Sequence, residues 1–262
     1  METTVTREGV LYLYGFVPAA TDVSTVTAVE QDADTFLVPL GEIACAASAV
    51  PAHAYRRPPD ESSPAEQLEW VTPRAWRHHQ VLRRLHHTAT VVPLKFGTLC
   101  ADATQARALL RDHHAAIAAL LAAFRGKDEW TLNTIIDEPA LTASLVAADP
   151  QLVALEQEAM RLPPGRAYFA RKKLQQVTAD RIRERRQDAH GAAWRSAVER
   201  GLACVPREQG NGTLPLLIER TRFAELEVAL AELEDAHAAS HVRFELVGPW
   251  PPYSFTGTLE GA

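Results

Sequence analysis

The sequence predicts an α+β protein with two domains. Its 262 residues fit two modest domains better than one large domain. Short apolar segments that are typical of strands alternate with stretches whose apolar residues recur every three or four positions, as in helices. About 47% of the residues are apolar and 23% are charged, which is the composition of a globular protein with hydrophobic cores. We place the two domains at residues 1–126 and 127–262.

The first half of the chain contains three predicted strands, a helix, a fourth strand and a second helix. The strands are apolar and β-branched, and each helix carries an apolar side. Pro73 suits the first turn of the first helix. Asp102, followed by Gln105, marks the start of the second helix, and Gly126 marks its end. We expect these elements at residues 10–17, 35–49 (two strands joined near Gly41), 73–88, 91–97 and 103–126.

The second half is dominated by a predicted long helical hairpin. Its first helix follows a strand and bends near Asp149 and Pro150, and its second helix is largely charged after Asp180. The Asn211-Gly212 pair between two apolar segments predicts a β-hairpin. A helix and an alternating strand complete the order. We expect these elements at residues 129–136, 141–160, 166–200, 202–207, 213–219, 223–233 and 241–248.

The order of these elements predicts the architecture of each domain. Counting the long hairpin as one insertion, the second half has the order βαββαβ, which is that of a ferredoxin-like fold. The first half has a similar order with a modified start. We therefore predict an N-terminal modified ferredoxin-like domain and a C-terminal ferredoxin-like, helix-rich domain, with helices on one face of each sheet.

Charge and composition narrow the classes of function. The net charge is −6, but residues 164–200 contain ten Lys/Arg and only four Asp/Glu. A basic helix can bind nucleic acid, although the acidic remainder of the chain opposes binding to phosphates. The sequence has neither a long apolar segment nor a signal peptide, so we expect a cytoplasmic protein without membrane contact. Three distant cysteines argue against a disulfide framework.

No arrangement of residues predicts an enzyme active site. Histidine pairs occur at residues 78–79, 86–87 and 113–114, but none has the spacing of a metal-binding motif. His113 lies on the apolar side of its helix and reads as a core residue. The sequence lacks a nucleophile elbow and a phosphate-binding glycine loop. We therefore predict no catalytic residues, no cofactor-binding residues and no metal ligands.

Two aromatic segments are the most unusual feature of the chain. Strand alternation places Tyr12, Tyr14 and Phe16 on one face of the first strand, where core packing is the ordinary explanation. Near the C-terminus, prolines in residues 248–255 require an extended path outside the sheet, and Trp, Tyr and Phe lie along it. This segment either packs on its own domain or docks on a partner, and the sequence leaves both interpretations open.

Three segments together resemble the GvpF/GvpL family of gas vesicle proteins. They are YLYGFV at residues 12–17, VVPLKFGTL at residues 91–99 and FELVGPWPPYSF at residues 244–255. They span almost the whole chain, and the last is the most specific. His78 stands where this family is expected to have a histidine. The resemblance also implies a modified ferredoxin-like domain followed by a helix-rich domain.

The resemblance implies a non-enzymatic role in gas vesicle assembly. The expected partners are the small hydrophobic shell subunit GvpA and other gas vesicle accessory proteins, and the expected location is the gas vesicle within the cytoplasm. The sequence determines neither the oligomeric state nor whether the protein remains in the mature vesicle, and it does not separate GvpF-like from GvpL-like members. Candidate contact residues, taken from the three segments, are Tyr12, Tyr14, Pro93, Phe96, Gly97, Gly248, Pro249, Trp250, Pro251, Tyr253 and Phe255.

Two other classes of function remain as alternatives. One is a metal- or haem-binding enzyme on two ferredoxin-like domains, with the paired histidines as ligands. Metal content and colour of the purified protein would distinguish it from an assembly protein. The other is a nucleic-acid binder that uses residues 166–200, for which steep salt dependence of binding is the expected sign.

Overall fold

The computed structural model of the chain describes residues 9–30, 33–55, 63–204 and 212–257. It combines helices with antiparallel strands, which confirms the α+β class. The chain divides into two compact units: unit 1 is Met1–Glu129 with Pro249–Ala262, and unit 2 is Trp130–Gly248. The expected second domain extended to residue 262. The C-terminal segment instead belongs to unit 1, because Tyr253 packs against the hydrophobic core of that unit.

Unit 1 is built on a sheet with the strand order β2-β3-β1-β4, and β5 also pairs with β1. Neighbouring strands run antiparallel. Two short helices, α2 and α3, follow the last strand. The elements are β1 (Gly9–Pro18), β2 (Thr35–Leu40), β3 (Ile43–Pro51), α1 (Pro64–Thr88), β4 (Val92–Pro93), β5 (Leu99–Cys100), α2 (Ala103–Asp112) and α3 (His114–Phe124).

Strand β1 contains a β-bulge that changes which residues share a face. The register with β3 shifts between Leu13 and Gly15, so that one residue of β1 is left over. Tyr12 and Tyr14 lie in the core beneath α1, but beyond the bulge Val17 occupies that core in place of Phe16. The expectation that Tyr12, Tyr14 and Phe16 share one face is therefore wrong, because alternation was counted through the bulge.

The predicted strand at residues 91–97 is much shorter in the structure. Only Val92 and Pro93 pair with β1, although the backbone N–H of Leu94 still donates to the Tyr14 carbonyl at 2.9 Å. The chain then turns at Gly97, which has a φ of 83° that favours glycine. The turn allows Leu99 and Cys100 to pair with β1 as a second short strand.

Helix α1 begins well before the predicted start at residue 73. Ser63 caps it by accepting from the Glu66 N–H, and the Glu66 carboxylate accepts from the Ser63 N–H in return. Pro64 occupies the first turn, so Pro73 lies inside the helix, where its missing N–H costs one backbone hydrogen bond.

Helices cover both faces of the unit 1 sheet, in contrast to the single covered face that we expected. Val81, Leu82 and Leu85 of α1 join the core of Tyr12 and Tyr14. On the opposite face, Ala108 and Leu109 of α2 line a cleft with Leu13. The predicted helix at residues 103–126 is divided at His113, whose backbone leaves the helical conformation. His113 is half-buried at this break and not a core residue.

Unit 2 combines a sheet of strand order β7-β8-β6-β9 with four helices in its described residues. The bend that we predicted near Asp149 separates α4 from α5, and the predicted long helix is α6. The turn expected at residues 209–212 lies almost entirely outside the described residues. The elements are β6 (Lys127–Ile136), α4 (Glu138–Ala148), α5 (Pro150–Arg161), α6 (Pro164–Glu199), β7 (Ala203–Cys204), β8 (Thr213–Glu219), α7 (Phe223–His237) and β9 (Val242–Trp250).

The two halves of α6 have different surroundings. Near its start, Ala167 and Ala170 are buried, as are Leu152, Leu155 and Ala159 of the adjoining α5. Near its end, three alanines at four-residue spacing join the core formed by the sheet and α7. Small side chains at this spacing allow the helix to approach the sheet closely. These alanines are Ala189, Ala193 and Ala197.

One carboxylate fixes the bend between α4 and α5. Asp149 caps α5 by accepting from the backbone N–H groups of Gln151 and Leu152, at 2.8 and 3.4 Å. Its second oxygen accepts from Nε of Arg181 on α6 at 3.0 Å. These hydrogen bonds hold the pKa of Asp149 below its usual value. The side chain therefore ties the start of α5 to the middle of α6.

Candidate functional site: an aromatic and histidine cluster around the first helix

The candidate contact residues of unit 1 surround two adjacent histidines of α1. His78 contacts aromatic rings from the first two sequence segments, and His79 contacts rings from the third. The three segments that were far apart in the sequence therefore meet at one helix. We call this group the α1 cluster, and it consists of Tyr12, Trp70, His78, His79, Phe96, Trp250 and Tyr253.

The phenol of Tyr12 joins the first two segments through α1. Its hydroxyl oxygen accepts from the backbone N–H of Gly97 at 3.1 Å and lies 3.0 Å from Nδ1 of His78. Burial raises the pKa of Tyr12, so the phenol keeps its proton. The hydroxyl can then donate to Nδ1 of His78, which leaves the proton of the neutral imidazole on Nε2. Tyr12 is fully buried, so this connection is structural.

His78 is held neutral by its surroundings. Only 4% of the residue is exposed, and burial lowers its pKa to about 4, an effect that the Leu94 carbonyl partly opposes. The centre of its imidazole ring lies 6.0 Å from the ring centres of both Tyr14 and Phe96. A buried neutral imidazole with a tyrosine donor is suited to fixing the position of α1 on the sheet.

Tyr14 connects the strand to other backbone segments below the α1 cluster. Its hydroxyl accepts from the Val29 N–H at 2.8 Å and lies 2.7 Å from Oγ of Ser48 on β3. Tyr14 and Ser48 are both fully buried. The hydrogen bonds satisfy two polar side chains that would otherwise be costly to bury.

The C-terminal segment is attached to unit 1 by polar and aromatic contacts. The Tyr253 hydroxyl lies 2.8 Å from Nδ1 of His79, and the Trp250 ring is 5.4 Å from the same imidazole. Ser254 donates to the Glu129 carboxylate through its backbone N–H at 2.8 Å and its hydroxyl at 2.7 Å. Of the two open interpretations, the structure shows packing of this segment on its own unit. Its path also differs from the extended one predicted, since β9 continues to Trp250 and Tyr253–Phe255 form a 3-10 turn.

The remaining histidines do not form a metal centre in the described part of the chain. His86 pairs through Nε2 with Asp128 at 2.8 Å. No group of three or more His, Cys, Asp or Glu side chains among the described residues is placed to hold a metal ion. Burial raises the pKa of the Cys45 and Cys100 thiols, which disfavours the reactive thiolate.

The structure sorts the candidate contact residues by exposure. Tyr12, Tyr14, Pro93 and Pro251 are buried and have no surface to offer a partner. Gly97 and Pro249 are exposed. Gly248 is half-buried at the end of unit 2. The half-buried aromatic candidates in unit 1 are Phe96, Trp250, Tyr253 and Phe255.

Sequence reasoning missed several residues that complete this site. Glu129 is only 4% exposed and receives both bonds from Ser254, but as one carboxylate in a strand it carried no distinguishing pattern. Trp70, 6.2 Å from the Phe96 ring, was assigned to the region before the helix. The Ser63-to-Glu66 capping box was the signal that could have placed Trp70 on α1.

The match of the sequence to a family model, together with the fold, defines the class of the chain: it is a gas vesicle protein. The crystal structure of GvpF from Anabaena sp. PCC7120 has the same fold, with a TM-score of 0.68 at 17% identity over 95% of this chain and 98% of that one. The family model of the gas vesicle synthesis protein GvpL/GvpF matches residues 10–257, and the chain belongs to this family.

The chain is similar both to gas vesicle proteins L and to gas vesicle proteins F. Gas vesicle protein L of Streptomyces sp. (strain CB03234) is 29% identical over 236 residues, covering 84% of this chain and 82% of that protein. Gas vesicle protein F of the same strain is 26% identical over 182 residues, covering 68% of this chain and 75% of that protein. Membership assigns the chain a role in gas vesicle formation. Within the described residues, no helix is both long enough and apolar enough to span a membrane.

Proposed function

We propose that this chain is a non-enzymatic accessory protein of gas vesicle assembly that binds the small hydrophobic shell subunit GvpA. The observation that carries the proposal is the family match over residues 10–257. A subunit with exposed apolar faces aggregates unless another surface covers them before it joins the shell. A folded protein with aromatic surface residues can provide such a surface and release the subunit later.

The proposed contact surface is the exposed part of the candidate set. Phe96, Trp250 and Phe255 are each half-buried; Phe96 packs against the core of unit 1, and the Trp250 ring contacts His79. Aromatic side chains anchored in this way lose little conformational entropy when a partner covers them. Tyr12, Tyr14, Pro93 and Pro251 support this surface from below. Other gas vesicle accessory proteins are further partners that the surface could accommodate.

The architecture also supports an interpretation of both units as ferredoxin-like variants. In each sheet the first strand of the unit is an inner strand: β1 lies between β3 and β4, and β6 lies between β8 and β9. In unit 1 the connection from β1 to β2 contains no described helix, which is the modification that we infer. In unit 2 the corresponding connection is the helix series α4, α5 and α6.

Co-expression with the shell subunit tests the proposal directly. Tagged full-length protein should retain GvpA in a pull-down under mild salt. Replacing Trp250 and Phe255 by Ala should reduce retention by about thirtyfold, because an aromatic anchor at the centre of an interface contributes roughly 2 kcal/mol or more. Val198→Ser, at an exposed apolar position on α6, is the matched control.

Two results would contradict the proposed function. If GvpA is missing from the eluate although the tagged protein is folded and the subunit is expressed, the proposed binding is wrong. A stoichiometric metal ion or a haem absorption band in the purified protein would instead support the alternative of a metal- or haem-binding enzyme. Circular dichroism of each variant shows whether a loss of retention reflects unfolding.

A further inference from the structure

The end of the α5–α6 hairpin exposes three large apolar side chains. Met160 on α5 is 73% exposed, and Tyr168 and Phe169 on α6 are 61% and 72% exposed. The two rings lie 5.5 Å apart in an edge-to-face arrangement. Large apolar side chains exposed to this extent are typical of surfaces that bind another molecule.

The same hairpin end carries a cluster of positive charge, bounded along the chain by Glu158 and Asp180. Residues 159–179 contain five Lys/Arg and no Asp/Glu. Further along α6, Arg181, Arg183 and Arg186 each pair with a carboxylate at 3.0 Å or less. By contrast, within the described part of the chain none of the five cations at the hairpin end forms an ion pair. They are Arg161, Arg166, Arg171, Lys172 and Lys173.

Helix α7 presents the complementary surface. It contains five Asp/Glu and no Lys/Arg. Two of its carboxylates are engaged, Glu225 by Arg222 and Glu232 by Arg200. The others are exposed and unpaired among the described residues, namely Glu227, Glu234 and Asp235.

An apolar line runs between these free carboxylates on the outer side of α7. Ala224, Val228 and Ala231 recur at spacings of four and three, so they lie on one side of the helix. Val228 is 58% exposed. The side therefore combines a shallow apolar line with negative charge, and the hairpin end combines protruding apolar side chains with positive charge.

The two surfaces cannot meet within one molecule. Helix α7 packs where Leu226 and Leu233 line a pocket with Ala193 and Ala197 near the end of α6. Along a straight helix, Phe169 and Ala197 are about 42 Å apart at about 1.5 Å per residue. We propose that the hairpin end of one molecule docks on the outer side of α7 of a second copy of this chain.

The charge of the remaining chain favours a second copy over an extended polyanion. Without residues 159–179, which contribute five positive charges, the net charge of −6 becomes −11. Nucleic acid or an anionic bilayer would meet this negative remainder as it approached the hairpin end. A short acidic and apolar helix satisfies both features of the hairpin end without that repulsion.

Docking of this kind joins two different surfaces, so it is heterologous. Each molecule that donates its hairpin end keeps its own α7 free, and further copies can add until a ring closes or an open chain forms. The contact is partly ionic between exposed groups, so salt weakens it. This association does not require the shell subunit, and its test is therefore independent of the proposed function.

Sedimentation velocity of the purified full-length chain tests the docking. The weight-average mass should rise with protein concentration in about 0.05 M salt. It should fall back towards the monomer in about 0.5 M salt, which shortens the Debye length roughly threefold. A chain that stays monomeric up to its solubility limit in low salt would overturn the proposal.

Charge reversal identifies the two surfaces. Lys172→Glu/Lys173→Glu and Glu227→Lys/Glu234→Lys should each weaken self-association by about tenfold or more, and an equimolar mixture of the two variants should associate again. The matched control is Arg185→Glu/Arg195→Glu, at exposed positions elsewhere on α6, and it should associate like the unaltered chain.

Two outcomes count against these surfaces. If both reversed variants associate normally, or if the mixture of folded variants fails to recover association, the proposed contact is wrong. Tyr168→Ala/Phe169→Ala adds a test that changes no charge, since it should weaken association in about 0.05 M salt by removing the apolar part of the contact. Thermal unfolding of each variant separates loss of docking from loss of folding.

Discussion

The hydroxyl of Tyr12 and Nδ1 of His78 lie 3.0 Å apart, joining the first strand to the first helix inside the core of unit 1. The same hydroxyl accepts the backbone N–H of Gly97, which comes from the second family segment. One side chain thus connects three elements that are distant in the sequence.

Tyr12→Phe should lower the free energy of unfolding by about 1–3 kcal/mol, because the buried Nδ1 of His78 loses its donor without access to water. The Gly97 N–H also loses its acceptor. Equilibrium unfolding in urea measures the change. Tyr168→Phe, which removes the hydroxyl of an exposed tyrosine, should change stability by less than about 0.5 kcal/mol. Equal effects of the two substitutions would contradict a structural role for the Tyr12 hydroxyl.

His78 should make unit 1 less stable as the pH falls from 6.5 to 4. Its pKa is lowered to about 4 in the folded chain, so in this range the unfolded chain binds a proton that the folded chain does not. Above the ordinary histidine pKa, His78 is neutral in both states and the free energy of unfolding is unaffected. By pH 4 the free energy of unfolding is lower by about 3 kcal/mol. Unfolding in urea across this range measures it. His78→Asn should remove this part of the pH dependence, and parallel curves for both proteins would contradict the assignment.

Gly15 should tolerate no side chain, because a Cβ atom there would lie 2.7 Å from the Val92 carbonyl oxygen. Gly15→Ala should therefore cost about 1–3 kcal/mol of stability through displacement of β4. Gly165 is the matched control, since a Cβ atom at this helical position meets nothing within 4 Å. Gly165→Ala should stabilise the chain by about 0.4–1 kcal/mol. Thermal and urea unfolding of both variants provide the comparison.

Glu129 should control the attachment of the C-terminal segment. Glu129→Ala removes both acceptors of Ser254, whereas Ser254→Ala leaves the backbone bond in place. Hydrogen exchange in residues 250–257 should accelerate by about tenfold in the first variant and less in the second. Mass spectrometry of the C-terminal peptide measures the exchange. Glu158→Ala, at an exposed position on α5, should leave exchange in this peptide unchanged.

The long hairpin and several helix starts could be predicted because their signals are local. Apolar spacing located α6 to within two residues at its start, and the Asp149-Pro150 pair correctly located the bend before α5. Asp102 caps α2 as its sequence position indicated. Each of these signals depends only on residues that lie within one or two helical turns.

The missed features depend on contacts between distant segments. The bulge beside Gly15 was hidden because the alternation of apolar residues looks regular on both sides of it. The early start of α1 was hidden because Pro73 satisfies the pattern of a first turn equally well. The division of the helix at His113 leaves the spacing of apolar residues almost unchanged on either side.

The site was predicted only in part for the same reason. The three segments were identified from their composition, but their convergence on His78 and His79 is a property of the folded chain. Burial of Tyr12 and Tyr14 could not be separated from partner contact in the sequence, because aromatic strands occur both in cores and in interfaces.

The burial of Tyr12, Tyr14, Pro93 and Pro251 has a consequence for how members of this family diverge. Selection on hidden residues preserves the architecture and leaves the outer surface free to vary. Two homologues can then share these buried residues and still bind different partners. Differences between such paralogues should accumulate at solvent-facing positions, such as those of the hairpin end.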